Sequence, residues 1–485
     1  ITPLYPPGFP FILSLFFRLS PQFPQNLWLL KSVSIAAMLG VGVATYYYFN
    51  RLRDLPHLPA LGVATATTLG PGLVFLATST VMSECVFTLL QLSSILVVEQ
   101  SIRTQRGNVW KYGLLVIGAG LVSLAFLTRS VAVAVILAAI VYLLKERLVR
   151  MALVFVTGVA LFAGPWAIYS RLHSPTAEQK AEMNNSYVVR GYAEQFWDRL
   201  AGHVGAGKVS FADLPARIGT NIVEIVTEDV GGMLITPMFK GLNQGLGERP
   251  DTGRSFLSFL LSLLVIAGFI FTLWERVTLA EIALLFSLII IVLWPFPPFR
   301  YVLPFLPFVI FYALMGLRAL LHFLRRKSQT FDDQGLPALA GFAVWFIVAL
   351  NLYTNFDYIG RKFDDAPQKG PRWTRIFAEN EPLLQWASQN LPAEGAIAGQ
   401  NPALAYLYTG RKAVPLDNPV ENWDRWKALD VRYLMHTSPI PVADDPAESK
   451  YRVIYRSQGV LNLKIIDLGP PASRPAWEKK ESSPH

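Results

Sequence analysis

Apolar residues along the chain gather into blocks of about twenty, set apart by short stretches that hold most of the prolines, glycines and charges. A helix of roughly twenty apolar residues covers the ~30 Å hydrocarbon core of a bilayer. The blocks predict ten spans, at 26–48, 58–75, 81–99, 112–127, 131–144, 151–169, 255–274, 279–294, 300–321 and 338–352. The second should break at Gly70-Pro71-Gly72, and 112–127 and 131–144 should form a pair hinged at Thr128-Arg129-Ser130. The apolar piece 9–19 is too short to cross and reads as an interfacial or re-entrant helix.

Polar positions fill 170–253 and predict a helical loop domain outside the bilayer. From about residue 353 the chain is polar again and the pattern changes. Helical spacing over 379–389, with Pro382 in its first turn, is followed by a strand at 396–398 and a helix at 403–408 closed by Thr409-Gly410-Arg411. Strands at 431–435, 451–455 and 461–466 complete a small α/β domain over 356–470, and the Pro-, Ser- and Lys-rich 471–485 predicts a disordered tail. No internal repeat is visible. The fold class is mostly α: a polytopic transmembrane helix bundle over 1–355 with a small extracytoplasmic α/β C-terminal domain.

Composition agrees. Of 485 residues 52% are hydrophobic and 16% charged, against roughly a quarter charged in soluble domains, and the mean hydropathy is +0.37. The net charge of +9 lies in short loops between apolar blocks, which points to membrane lipids and not to nucleic acid. A single cysteine, Cys85, excludes an intrachain disulfide. No Walker loop, dinucleotide fingerprint or Cys/His metal spacing is present, which argues against an ATP-driven pump. His57, His173, His203, His322, His436 and His485 are scattered and read as loop residues, not ligands, and the lone sequon Asn184-Asn185-Ser186 decides nothing. The chain opens on Ile1 inside what reads as a loop, so an N-terminal span and a first loop are expected upstream.

Lysines and arginines set orientation. Arg51/Arg53, Arg103/Arg106/Lys111, Lys145/Arg147/Arg150, Arg276 and Arg325/Arg326/Lys327 occupy every second loop, which makes those loops cytoplasmic. The opposite loops hold few charges, and Glu84, Arg129 and Arg300 therefore stand out. Arg300 heads an apolar helix within Pro295-Phe296-Pro297-Pro298-Phe299-Arg300-Tyr301-Val302-Leu303-Pro304-Phe305-Leu306-Pro307, where prolines fix the start of the helix. One such residue is explained by a side chain snorkelling to headgroups. Three separate helices delivering ionisable groups to one depth point to an anion site, in which two arginines could hold a phosphate through bidentate, charge-assisted hydrogen bonds. Glu84 among them could pair with an arginine or bind an acceptor or a metal.

The order Tyr5-Pro6-Pro7-Gly8, Ser83-Glu84, Leu127-Thr128-Arg129, Pro165-Trp166 and Arg300-Tyr301-Val302-Leu303-Pro304 resembles membrane glycosyltransferases of the GT-C class. The branch it is most similar to contains the protein O-mannosyltransferases and the lipid A aminoarabinose transferases. Trp386-Ala387-Ser388-Gln389-Asn390-Leu391-Pro392 through Thr409-Gly410-Arg411 also resembles the extracytoplasmic tail of bacterial members. The resemblance implies a hexosyl or pentosyl transfer from a polyprenyl-phosphate-linked sugar, with inversion at the anomeric carbon. The acceptor would be a lipid, glycan or protein. It implies donor phosphate binding by Arg129, Arg300 and Tyr301, with Tyr5 and Glu84 on the site rim. The catalytic acidic residue of the family would lie N-terminal to Ile1, so no residue here is assigned that role. No cofactor is required by it, and a divalent metal is left open. It implies a multi-pass protein of a bacterial inner membrane with its site facing outward. The aminoarabinose transferases carry a lysine before the proline pair where this chain has Tyr5.

A secondary transporter or lipid-linked-sugar flippase is the main alternative; it would show inverted repeats and midplane charges. A scaffold or a polymer ligase would share the rim arginines but not the Tyr-Pro-Pro start or the tail domain. The alternation of basic loops puts both 170–253 and the C-terminal domain on the extracytoplasmic side. Cysteines introduced at Ser174 and Ser388 should therefore both react with an impermeant maleimide in intact cells, and labelling of only one of them contradicts the ten-span arrangement.

Overall fold

The computed structural model describes residues 5–182, 190–199, 207–235, 252–325, 335–364, 372–392, 394–416, 424, 426–437, 450–459 and 461–469. The chain divides into two compact units. The first comprises Ile1–Pro21, Asn26–Gln244 and Arg249–Asp357, and the second Gln22–Gln25, Gly245–Glu248 and Tyr358–His485.

The first unit is helical. Among the described residues seven helices are long and apolar enough to cross a membrane: Leu27–Leu52, Glu84–Arg103, Asn108–Thr128, Val149–Leu172, Phe256–Glu275, Phe299–Phe323 and Gly341–Gly360. His57–Thr68 and Pro71–Thr78 make an eighth when taken as one span bent by 46°. The bend falls at the expected Gly70-Pro71 break, where proline has no N–H to continue the helical ladder. The other two expected spans are short. Ser130–Lys145 joins three 3-10 residues to thirteen α-helical ones, and Leu279–Leu293 has fifteen residues, so each covers about 22 to 25 Å. Among the described residues, eight of the ten expected spans are thus long enough to cross, with the bent pair taken as one, and the other two are shorter apolar helices. Gly8–Leu19, with twelve residues, is a separate short apolar helix, as expected.

The Phe299–Phe323 segment is the central element. Residues 302–316 are buried without interruption, the signature of a helix covered by protein on every side. Its prolines leave a mark: four α-helical residues, Phe299–Val302, pass through a 3-10 turn at Leu303–Phe305 before the helix Leu306–Arg325 begins. Pro304 and Pro307 remove two donors from the α ladder, and the tighter turn accommodates their rings.

The ends of the bundle opposite Arg300 are tied by a buried polar cluster. Arg53, only 7% exposed, donates to Glu281 Oε1 at 2.5 Å, to Thr278 Oγ1 at 2.8 Å and to the Tyr48 hydroxyl at 3.2 Å. The Tyr312 hydroxyl donates to Glu281 Oε1 at 2.9 Å, and that of Tyr48 to Glu99 Oε1 at 3.2 Å. Thr278 and Glu281 form a capping box that starts the helix Leu279–Leu293. The basic residues of these loops do more than set orientation. Arg103 donates to Leu52 O at 2.7 Å and Lys145 to Val277 O at 3.1 Å, satisfying carbonyls at chain reversals.

Within 170–253 the described residues are helical in short pieces: Ala177–Glu182, Tyr192–Phe196, Leu214–Glu224, a π turn at Ile225–Asp229, and Val230–Leu234. The expected division at 355/356 falls inside a helix that runs from Gly335 to Asp364. The sequon, His203, His485 and the tail 471–485 lie outside the described residues. Three histidines differ from their expected loop placement: His57 opens the helix His57–Thr68, His322 lies within Leu306–Arg325, and His436 ends a buried strand.

The second unit is an α/β layer. Its sheet has the order β2-β1-β3-β5-β4, with β1 Ala396–Gly399, β2 Ala413–Pro415, β3 Val431–His436, β4 Arg452–Arg456 and β5 Lys464–Asp467. Strands β2, β1 and β3 are parallel, and β5 runs antiparallel to both β3 and β4. Side chains alternate: Ile397, Tyr433, Met435 and Ile465 pack with Leu383, Leu384 and Ala387, whereas Ala398, Leu434 and Ile466 pack with Trp426 on the other face. The short strand β2 was not expected. The helix before the sheet begins earlier than its pattern suggested, at Arg372, so Pro382 lies in its interior and not in its first turn.

The helices Thr252–Glu275 and Leu306–Arg325 touch through their backbones. A Cβ on Gly268 would lie 1.8 Å from Tyr312 O, and one on Gly316 would lie 2.0 Å from Leu264 O. Small residues at such crossings let membrane helices approach closely. Gly268→Ala should force the pair apart and draw Tyr312 from Glu281, costing about 1–3 kcal/mol. The thermal unfolding midpoint of the purified protein should fall, while Gly164→Ala, which meets nothing within 4 Å, leaves it unchanged. Equal midpoints for the two variants would contradict the close crossing.

Candidate functional site

Three helix ends meet at one place. Glu84 is the first residue of Glu84–Arg103, where the positive end of the helix dipole favours a carboxylate. Arg129 follows the last residue of Asn108–Thr128; its φ of −149° and ψ of 126° end the helix. A cation there complements the negative end of the dipole. Arg300 lies in the four-residue helix that the preceding prolines begin. The first helix arrives beside them because position 8 is glycine: a Cβ there would stand 2.7 Å from Leu127 O.

The Glu84 side chain is fully buried, and both arginines converge on its Oε1. Arg129 Nη1 lies at 2.8 Å and Arg300 Nε at 2.9 Å, and Arg300 Nη2 donates to the same oxygen. The two cations differ in freedom. Arg129 is 13% exposed and its guanidinium lies 5.1 Å from the centre of the Tyr301 ring and 5.9 Å from that of Phe87, within cation–π range of both. Arg300 is 38% exposed, and its remaining contact is with the weak acceptor Met82 Sδ at 3.4 Å.

Both arginines border a cavity of about 500 Å³ that Tyr5, Tyr192, Gln195, Trp294, Phe296 and Tyr301 also line. Much of the rest of its wall is aromatic. Tyr5 meets Tyr192 edge to face at 6.1 Å, Tyr192 leans on Trp294 at 5.9 Å, and Trp294 lies parallel to Phe296 at 6.5 Å. Gln195 Nε2 donates to Arg190 O at 2.8 Å and to the Tyr5 hydroxyl at 3.4 Å.

That wall is fastened from behind. Arg190, buried, holds Asp198 through two hydrogen bonds of 2.8 and 2.5 Å. Arg217 donates to Phe196 O at 2.6 Å and Asp198 O at 2.5 Å. Asn221 Nδ2 donates to Val292 O at 2.9 Å and Trp294 O at 3.0 Å, which satisfies carbonyls at the end of Leu279–Leu293. Burial alone would raise the Glu194 carboxyl, but its hydrogen bond and ion pair with Lys180, at 2.6 Å, and the Gly191 N–H hold it below the ordinary carboxylate range.

Of the residues singled out from sequence, Tyr5, Arg129, Arg300 and Tyr301 line one cavity. Glu84 is not on its rim; it lies beneath the arginines with no solvent exposure. Pro165-Trp166 takes no part: Trp166 packs along its own helix against Tyr169. The wall residues Tyr192, Gln195 and Trp294 and the fasteners behind them carried no local signal, because each acts through partners distant in sequence; Phe296 lies in the proline-rich stretch before Arg300. Among the described residues no group of three or more His, Cys, Asp and Glu comes together, and the Glu84 carboxylate is committed to two arginines.

No family model matches this chain, and no curated protein sequence matches it. Solved structures do. ArnT from Cupriavidus metallidurans bound to undecaprenyl phosphate is 13% identical, with a TM-score of 0.51 over 96% of this chain and 88% of that one. The archaeal oligosaccharyltransferase AglB from Archaeoglobus fulgidus, in complex with an inhibitory peptide and a dolichol-phosphate, is 12% identical, with a TM-score of 0.51 over 89% of this chain. This chain spans 61% of the length of AglB. With its membrane-spanning helices and its small C-terminal sheet, the chain has the fold of the GT-C class of polytopic membrane glycosyltransferases.

Proposed function

We propose that this protein is an integral-membrane glycosyltransferase that moves a hexosyl or pentosyl group from a polyprenyl-phosphate-linked donor to a lipid, glycan or protein acceptor. Its setting is a bacterial inner membrane, with the cavity facing the extracytoplasmic side. The observation that carries this reading is the arrival of Arg129 and Arg300 from two different helices at one cavity edge, with Arg300 half free to meet a ligand. ArnT and AglB, structures of the same fold, hold undecaprenyl phosphate and a dolichol-phosphate, which supports a lipid-linked phosphate here.

The roles follow from charge and shape. A phosphodiester donor carries one negative charge, and a second develops on the phosphate as the sugar leaves. Arginines fixed at that point stabilise the developing charge without reorganisation, and their planar fork matches phosphate oxygens. Tyr301 keeps Arg129 in place through its ring. Tyr5, Tyr192, Trp294 and Phe296 present apolar faces on which a sugar ring or the first isoprene unit can lie. Glu84 is not the general base, since the arginines hold it and solvent does not reach it.

A carrier would be favoured if the broken span lined the cavity. It does not: none of the lining residues comes from 57–78, and the carbonyls at the break are taken by Asn351, at 3.0 Å from Ala66 O, and Asn355, at 2.9 Å from Leu69 O.

Arg300→Ala should lower sugar transfer from polyprenyl-phosphate donors about 10²–10³-fold, with membrane insertion and yield intact. Arg300→Lys should restore only part of it, because lysine offers a point charge and no fork. Transfer by Arg300→Ala within a few-fold of wild type would remove the chemical basis of this function.

A further inference from the structure

We infer that Glu84 is a positioning residue that holds Arg300 away from the donor phosphate before transfer and yields it as charge grows on that phosphate. This rests on the phosphate role given to the two arginines above. The geometry is lopsided. Three donors, Arg129 Nη1, Arg300 Nε and Arg300 Nη2, crowd onto Glu84 Oε1. Glu84 Oε2 is buried and has no hydrogen-bond partner among the described residues. A carboxylate whose only purpose was to be satisfied would share the arginines between its two oxygens, as Asp198 does with Arg190 through Oδ1 and Oδ2.

The consequence lies in competition for one guanidinium. Arg129 is held by Glu84 and by two rings and stays in place. Arg300 spends both its Nε and its Nη2 on Glu84, yet it is the more exposed of the two and lines the cavity. In the transfer, the bond between the acceptor's nucleophilic atom and the anomeric carbon forms. The bond from that carbon to the phosphate oxygen breaks, and its electron pair stays on the phosphate. The acceptor's proton is lost to solvent water. The phosphate thus goes from one negative charge to two. Against the single charge of the donor, Glu84 competes evenly for Arg300; against the doubly charged leaving group it loses. Binding that strengthens only as the reaction proceeds accelerates the chemical step, whereas equally strong binding of the starting state does not. Glu84 also leaves the pair of arginines with a net charge of +1, which keeps the doubly charged product from binding too tightly to leave.

The test uses the full chain in detergent and geranylgeranyl monophosphate as the product-like probe, with Glu84→Gln, Glu84→Asp and Arg300→Ala beside wild type. Removing the carboxylate charge beside two arginines should tighten the Kd for the monophosphate about tenfold in Glu84→Gln. KM for a polyprenyl-phosphate sugar and kcat should both fall in that variant, with product release slowed. A residue that merely built the site would, when changed, weaken binding and raise KM. Glu84→Asp, which keeps the charge but draws it back by one methylene, should tighten the monophosphate about two- to threefold, and it carries the same test if Glu84→Gln does not fold. Unchanged or weaker monophosphate binding in the folded Glu84 variants, with binding lost in Arg300→Ala, overturns the inference and leaves the phosphate site standing. Undiminished binding in Arg300→Ala overturns both.

Discussion

The structure of the site depends on one buried carboxylate. An ion the size of Glu84 cannot be taken out of water without several kcal/mol of compensation, and it finds that compensation in two guanidiniums that belong to other helices. Each of the three charges needs the others, so the start of Glu84–Arg103, the end of Asn108–Thr128 and the start of Phe299–Phe323 are brought to one point. The cavity forms against that point. Its cationic side is fixed by the ion pairs, and its aromatic side is supplied by the loop region and by the segment that follows Leu293.

The same helix is pinned at its other end. Glu99 accepts from Tyr48, which in turn accepts from Arg53, the partner of Glu281. Two buried polar clusters at opposite ends of one helix leave little freedom for it to slide, and the all-round burial of 302–316 does the same for the helix that carries Arg300. Preorganised charge is effective only when the groups that bear it cannot relax. Here the groups sit on two elements anchored along their length, and the freedom that remains is that of the Arg300 side chain.

Much of this was legible in the sequence because membranes make charge expensive. Apolar blocks gave the helices, Gly70-Pro71 gave the bend, and Glu84, Arg129 and Arg300 stood out against loops that otherwise lack charge. What was not legible depended on long-range contact. Glu84 sits at a segment end in the sequence, and nothing local distinguishes an interfacial carboxylate from one sealed beneath two arginines. Tyr301 is adjacent to Arg300 but stacks on Arg129. Gln195 and Asn221 are ordinary polar residues of short helices until their partners, Tyr5 and the carbonyls of Val292 and Trp294, are brought to them. Two of the apolar blocks form helices shorter than the rest, because apolar length alone does not reveal where a cap or an extended residue such as Arg129 will stop a helix. Propensity places Pro382 in a first turn, but the packing of Leu383, Leu384 and Ala387 on the sheet keeps the helix through it.

Arg129 and Arg300 are proposed as the phosphate seat of a lipid-linked sugar transferase. The most direct measurement is an electron cryo-microscopy structure of the full chain in nanodiscs with a bound prenyl monophosphate. The phosphate should lie in the cavity within hydrogen-bond distance of the Arg300 guanidinium, with Arg129 still on Glu84 and the prenyl chain leaving between helices. A phosphate bound elsewhere, with Arg300 still turned onto Glu84 and the cavity filled only by acyl chains, would contradict the account.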